Sequence, residues 1–370
     1  MWHGGIVRAE SAASEAMGFV ASETSWSGEL AATAAHCART GQTLVISSKQ
    51  AAKHARDWTL RYPGLDVTID GRHWASAVAT TETPTAESTL FDLDTWADLE
   101  LSGSGAKRLL TPSLFVTFGD LDALDAQLAI TGCIENPGLH TLVATDARML
   151  QAKYRQGFFE VLEASQTKRF AFVFADTRQP MGSFDRLDGQ RQLLTRFPGS
   201  HIVGSDVAAG TDAMVHGAGW VGIGASSGRR MEHRPGDSGG GRRSADYLPG
   251  TWVRLLMEMR SPSIYADWYA NEPTPSCSKC SRRLESYQPN SADKALMIAH
   301  NLHGITDFAD EIVAVPDSER AAWLSSERVD AFLRHGRLMG PNVDADRTLR
   351  MLCELDDPAL RSTSPAGLWK

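Results

Sequence analysis

Five aspartates stand where short apolar runs end, and acids at such ends can act as base, nucleophile or acceptor for a polar ring edge. They are Asp70 after Ile69, Asp120 after Phe118-Gly119, Asp146 after Thr145, Asp176 after Ala175 and Asp206 after Ser205. Each alone also suits a helix N-cap. Asp70 and Asp206 are the leading catalytic candidates. Asp70 is followed by Gly71, which permits close backbone approach, and by Trp74; Asp206 is flanked by Gly204. Asp120, Asp146, Asp176 and Gly71 are candidates to bind a polar ring at the same end. A second constellation lies further on. Cys277 and Cys280 present two thiols from one tight turn, and His300 and His303 lie one helical turn apart. Two Cys with one or two His suit tetrahedral zinc. The alternatives are reduced surface cysteines or a redox pair, and the latter is disfavoured because the motif lies outside any strand-to-helix turn.

Between these two sets the composition shifts. Residues 228–254 carry six arginines against three acids, around a glycine-rich centre. Arg229, Arg230, Arg242 and Arg243 are candidates to follow a nucleic-acid backbone. A solvated loop is the alternative. The Gly222-to-Gly228 stretch lacks the signatures of a P-loop or a dinucleotide fold.

Eight short apolar runs, separated by helix-forming stretches, would position these residues. They are Gly5–Ala9, Thr43–Ser47, Asp66–Ile69, Leu114–Phe118, Thr141–Ala144, Phe170–Phe174, His201–Gly204 and Trp220–Gly224. Most lack strict alternation, as strands buried on both faces do. The pattern predicts an α/β fold, a (β/α)8 barrel, with an open doubly wound sheet as the alternative. The barrel is expected over residues 1–228. An insertion at about 78–112 is expected to carry a short hairpin or a mobile loop. Residues 229–370 are expected to form the Arg/Gly-rich loop, a zinc knuckle and helices packed on the barrel.

The chain has 370 residues, 42% hydrophobic and 22% charged, which suits a folded protein with a sizeable core. A net charge of −8 argues against a membrane-surface role or a generic polyanion coat. No run of about 18 apolar residues exists, and Met1 to Gly5 lacks a signal peptide's basic and apolar regions, so a cytoplasmic location is expected. Five cysteines do not suggest a disulfide scaffold.

In the order of these features the chain resembles the tRNA-guanine transglycosylases. That family is a (β/α)8 barrel with a zinc subdomain after the last strand. Cys277 and Cys280 look like the second and third cysteines of its Cys-x-Cys-x-x-Cys cluster. His300-Asn301-Leu302 looks like its helix motif, and Asp70-Gly71 stands where its third strand ends in Asp and glycines. The resemblance implies Zn2+ and exchange of guanine in a nucleic acid, tRNA or DNA, for a 7-deazaguanine base. A carboxylate would attack C1′ and a second Asp would carry the proton. The family often dimerises, so a homodimer or another protein partner is a further expectation. Two departures matter. Pro275 replaces the first zinc cysteine, leaving the fourth ligand to His303, another residue or water. The last strand, Trp220-Val221-Gly222-Ile223, has no acid where the family keeps its nucleophile. If the nucleophile has moved, Asp206 is its candidate. The lost motif and the arginine loop tilt the expected substrate toward DNA. Two other readings stay open: a non-catalytic protein recognising a modified base, and an unrelated barrel enzyme acting on a small molecule.

Overall fold

The computed structural model describes residues 13, 15–23, 28–86, 92–167, 169–177, 179–237, 248–277, 279–338 and 342–360. Alternating strands and helices run β1 (Met17–Ala21), α1 (Glu29–Thr40), β2 (Thr43–Ser47), α2 (Ala51–Arg61), β3 (Val67–Asp70), α3 (Leu93–Ser104), β4 (Arg108–Leu110) and α4 (Leu121–Thr131). They continue as β5 (Leu139–Asp146), α5 (Arg155–Ala164), β6 (Phe170–Ala175), α6 (Phe184–Arg196), β7 (His201–Ser205), α7 (Val207–Val215) and β8 (Trp220–Gly224). The eight strands are parallel and close, β1 pairing with β8, into a (β/α)8 barrel. The open-sheet alternative is thereby set aside.

Parallel strands buried on both faces need apolar runs, and these have them: every residue of β1, β2, β6 and β8 is buried. The interior is filled rather than hollow. Val20, Val45, Leu142, Val173 and Val203 meet there, with Trp74 and Trp220 as the largest members of the cluster.

Three sequence expectations change. The stretch Gly5–Ala9 lies outside the described residues, and the first barrel strand is Met17–Ala21. Gly18 interrupts the β-branched run by which a strand is normally read. The fourth strand is Arg108–Leu110, not Leu114–Phe118. The later stretch makes only isolated bridges, Phe115 to Val78 and Val116 to Thr145. Pro112 lies between the two and has no N–H to continue a ladder. The region from 78 to 112 does not hold the expected hairpin or loop alone. Its second half is α3, the ordinary crossover helix from β3 to β4, N-capped by Asp92.

Past β8 come α8 (Ser227–Arg230), the antiparallel hairpin β9 (Thr251–Val253) and β10 (Glu258–Arg260), and α9 (Pro262–Trp268). Three longer helices follow: α10 (Ser291–Ala314), α11 (Arg320–His335) and α12 (Arg347–Asp356). They pack on the barrel's outer ring, α10 on α1, α11 on α7 and α12 on α6. Arg328 of α11 is buried against Asp212 of α7 at 2.9 Å, and Asp212 also pairs with Arg191 at 2.7 Å. No helix among the described residues is long and apolar enough to cross a membrane.

Candidate active site and metal centre

The carboxyl ends of the strands carry the acids. Asp70 closes β3 and is 1% exposed. The parallel register sets Ser47 of β2 beside it, and the Ser47 hydroxyl donates to Asp70 Oδ2 at 2.7 Å. The Arg72 N–H donates to Oδ1 at 2.8 Å, and Trp74 Nε1 donates to Oδ2 at 3.4 Å. Burial pushes the Asp70 carboxyl above its ordinary range, against the pull of Ser47 and Trp74. Arg72 is held at φ 54°, a left-handed conformation uncommon for its type. Its guanidinium lies over Trp74, 5.1 Å from the ring centre. Gly71 leaves room for the His73 imidazole, which a Cβ would meet at 2.6 Å.

The carboxyl that shares this part of the mouth with Asp70 is Glu232. Arg72 Nη2 donates to its Oε2 at 2.9 Å, and Arg229 Nη1 lies 3.4 Å from its Oε1. Its carbonyl accepts the Asp176 N–H at 3.1 Å. The chain beyond β8 folds back this closely because two strand-end glycines allow it. A Cβ at Gly224 would sit 2.2 Å from the Arg229 carbonyl oxygen, and one at Gly204, where φ is 77°, would sit 2.9 Å from Glu232 Cγ. Burial raises Glu232 to about 7; Arg229 opposes the shift and Asp70 adds to it. The sequence does not single out Glu232, because 228–254 reads as a basic loop. The available signal is a lone acid set between arginines just past a strand end.

Asp146 and Asp176 sit at the ends of β5 and β6, and arginines hold both. Arg148 grips Asp146 through Nε and Nη2, each at 3.0 Å. Arg234 joins the two acids, 2.7 Å from Asp146 and 2.5 Å from Asp176. Arg186 reaches Asp176 at 2.5 Å. Burial alone would raise Asp176, but the Thr177 N–H, Arg186 and Arg234 outweigh it and hold it below the usual carboxylate range. Asp120 is half-buried and caps α4, accepting from the Ala123 N–H at 3.1 Å.

Asp206 is placed apart from this group. It caps α7, accepting from the Ala209 N–H at 2.9 Å. It lines a separate cavity of about 250 Å³ with Arg230, Glu258 and Asp346. Burial, then the Asp346 charge, pushes it up to about 6. Of the four arginines singled out by sequence, Arg229 bonds Ser22 and Glu232, Arg230 is buried, and Arg242 and Arg243 lie outside the described residues.

Cys277, Cys280, His300 and His303 form a group that could hold a metal ion. Their ligand atoms all lie within 4.8 Å of one another. Cys277 Sγ is 2.9 Å from His303 Nε2, and Cys280 Sγ is 3.5 Å from His300 Nδ1. His300 Nε2 donates to the Trp252 carbonyl at 2.9 Å, which leaves Nδ1 to ligate. Burial, then the neighbouring His300, lowers His303 to about 4, so it is neutral as a ligand must be. His303 stands with the other three as a possible fourth ligand. Two thiols and two imidazoles in this spacing fit a tetrahedral ion.

No protein-family model matches this chain. No curated protein matches it either.

Proposed function

We propose that the chain is a base-exchanging transglycosylase acting on nucleic acid, DNA in preference to tRNA. The observation that carries the reading is the buried pair Asp70 and Glu232 at the C-terminal mouth of the barrel, ringed by arginines. Barrel enzymes work at that face. The two acids have environments that suit different tasks. Asp70 accepts three hydrogen bonds, which fix its direction and oppose the burial that raises its carboxyl, so it is the attacking carboxylate. Glu232 titrates near neutrality, which suits a proton carrier.

In this scheme an Asp70 oxygen bonds to C1′ as the C1′–N9 bond breaks, and the bond's electrons leave with guanine. Glu232 gives that base its proton. An incoming 7-deazaguanine gives its N9 proton back to Glu232 and takes C1′ from Asp70. The target base must leave its stack to reach the pair. In the free protein residues 231–234 cross the mouth, and Arg72, Arg229 and Arg234 are held by carboxylates. Substrate phosphates offer those guanidiniums an alternative anion as the base enters. Asp206 keeps no part in the scheme, since it caps α7 and faces Asp346 rather than Asp70.

Zinc is the ion proposed for Cys277, Cys280, His300 and His303. There it would tie the knuckle to α10 and, through the His300–Trp252 bond, to β9. No step of the exchange passes through it.

The test is incorporation of labelled guanine, run in parallel on duplex DNA and total tRNA. Label in DNA alone supports the reading. Label in tRNA alone reverses the substrate preference, and label in neither removes the proposed activity. A second reading rests on one observation: Asp146, Asp176 and Glu232 are each neutralised by arginine, while β8 has no acid. That arrangement also suits a barrel that recognises a modified base without turning it over. Asp70→Asn separates the two, because it removes exchange and leaves recognition.

A further inference from the structure

We propose that the opposite, N-terminal end of the barrel holds a binding site for a small oxyanion, built from Trp220, His201, Arg108 and Lys107. A cavity of about 450 Å³ opens there, at the starts of the strands rather than at their carboxyl ends, and these four residues line it together with Thr43 and Asp66. Trp220 is 6% exposed, yet its indole N–H has no acceptor among the described residues. A buried donor left unmatched is costly, and native structures rarely tolerate one without a ligand or solvent partner. His140 Nδ1 is likewise buried with no partner among the described residues. His140 stacks behind His201, with ring centres 4.6 Å apart, and His201 in turn lies 6.0 Å from the Trp220 ring.

The hydrogen-bond donors at this end decide the kind of ligand, since the charges that line it balance: Arg108 and Lys107 as cations, Asp66 and Glu15 as anions. Asp66 Oδ2 is committed, with Arg108 Nη2 at 2.8 Å and Lys107 Nζ at 3.9 Å; its Oδ1 is buried with no donor among the described residues, so the ligand must also carry a proton to give it. The charged groups that act on His140 and His201 are cationic, namely Arg108 and Arg169, together with the paired imidazole. Burial first, then those cations, lowers His140 to about 3 and His201 to about 4. Both rings are therefore uncharged near neutrality, and each still offers one N–H. An indole N–H, an imidazole N–H, a guanidinium and an ammonium, with the Asp66 Oδ1 acceptor, match a phosphate that still carries one proton. The cavity is larger than one such ion, so it has room for a free ion or for the phosphorylated end of a small molecule, and the experiment compares the two directly.

The experiment is a titration of the full chain, labelled with carbon-13 at histidine, with inorganic phosphate and in a second arm with ribose 5-phosphate. His201→Asn assigns the His201 resonance. The expected result is a saturable shift of the His201 and His140 signals in millimolar ligand. Trp220→Phe should abolish it, and Lys107→Gln, at an exposed side chain that folding does not need, should weaken binding by about tenfold. Tighter binding of the sugar phosphate would assign the rest of the cavity to the sugar; equal binding would assign a free ion. No shift in millimolar ligand, or a shift that both variants leave unchanged, overturns the site. Asp70→Asn should leave the titration unaltered, so the result stands apart from the chemistry proposed at the other end.

Discussion

Arg72 donates to Glu232 across 160 residues of sequence, at 2.9 Å, and so ties the end of β3 to the chain beyond β8. The pair places a second buried carboxyl beside Asp70. It also makes the backbone at Arg72, with φ at 54°, part of the site's construction. A residue held in that region is maintained by its surroundings, here the Glu232 carboxylate and the Trp74 ring.

Asp70→Asn and Glu232→Gln should each lower guanine exchange by about 10²–10⁴-fold, the range for losing a positioned proton carrier or its partner. Asp206→Asn should leave exchange within a few-fold. Duplex binding should survive in all three, read by a mobility-shift assay. Mass spectrometry of quenched enzyme should find the nucleic-acid adduct on the peptide containing Asp70. An adduct on Glu232 would exchange the two roles.

Purified protein should carry one zinc per chain by elemental analysis. Cys280→Ser should lose the metal and lower the melting temperature. Metal binding stabilises a fold in proportion to its affinity for the folded state alone. His303→Ala tests the fourth ligand: retained zinc with unchanged affinity would remove His303 from the set.

Glu232 gives stability a pH dependence whose sign follows from its raised position. The folded state holds this proton up to about 7, whereas an unfolded glutamate releases it near its ordinary value of 4.5. The contribution is therefore fully present below 4.5 and is lost as pH rises through 7. Wild type should lose stability relative to Glu232→Gln across that window, by a few kcal/mol at most, since each pH unit between the two values corresponds to about 1.4 kcal/mol. Paired denaturant titrations at pH 5 and pH 8 measure it. A difference that stays flat with pH would show that the arginines hold Glu232 ionised throughout.

The Arg328–Asp212 pair makes the opposite prediction. Burial works against the Asp212 carboxylate, but Arg328 and Arg191 overcome it and hold the group at about 2. Its stabilisation is present above 3.8, its ordinary value, and is lost as pH falls through 2. Asp212→Ala leaves Arg328, 1% exposed, with Asp356 at 3.2 Å as its remaining carboxylate, and should cost about 3 kcal/mol, the low end for breaking a buried pair. Asp212→Ala with Arg328→Met should recover part of that loss. Urea denaturation of wild type and the two variants is the measurement, and no recovery in the double variant would show that other partners dominate.

Six of the eight strands were legible because a parallel strand buried on both faces must be a short apolar run, and a run is local. The two that shifted show where that logic ends. Met17–Ala21 has a glycine at its second position, and Arg108–Leu110 is only three residues long with a charge at its start. Both are strands because their neighbours pair with them, not because of their own composition. The Cys/His cluster was legible for the same reason as the good strands. Cys277 and Cys280 share one turn, and His300 and His303 share one helix face, so half the geometry is covalent.

The sequence by itself determined the β–α alternation, the apolar interior and the two halves of the Cys/His cluster, since each depends on residues a few positions apart. Tertiary structure alone decided which acids meet. Asp70, Asp146, Asp176 and Asp206 look alike in sequence, each an aspartate at a strand's end. Barrel closure and the return of the chain after β8 brought Glu232 to Asp70, set Arg234 between Asp146 and Asp176, and left Asp206 facing Asp346. Those contacts join residues 162, 88, 58 and 140 positions apart, and local patterning carries no information across such distances.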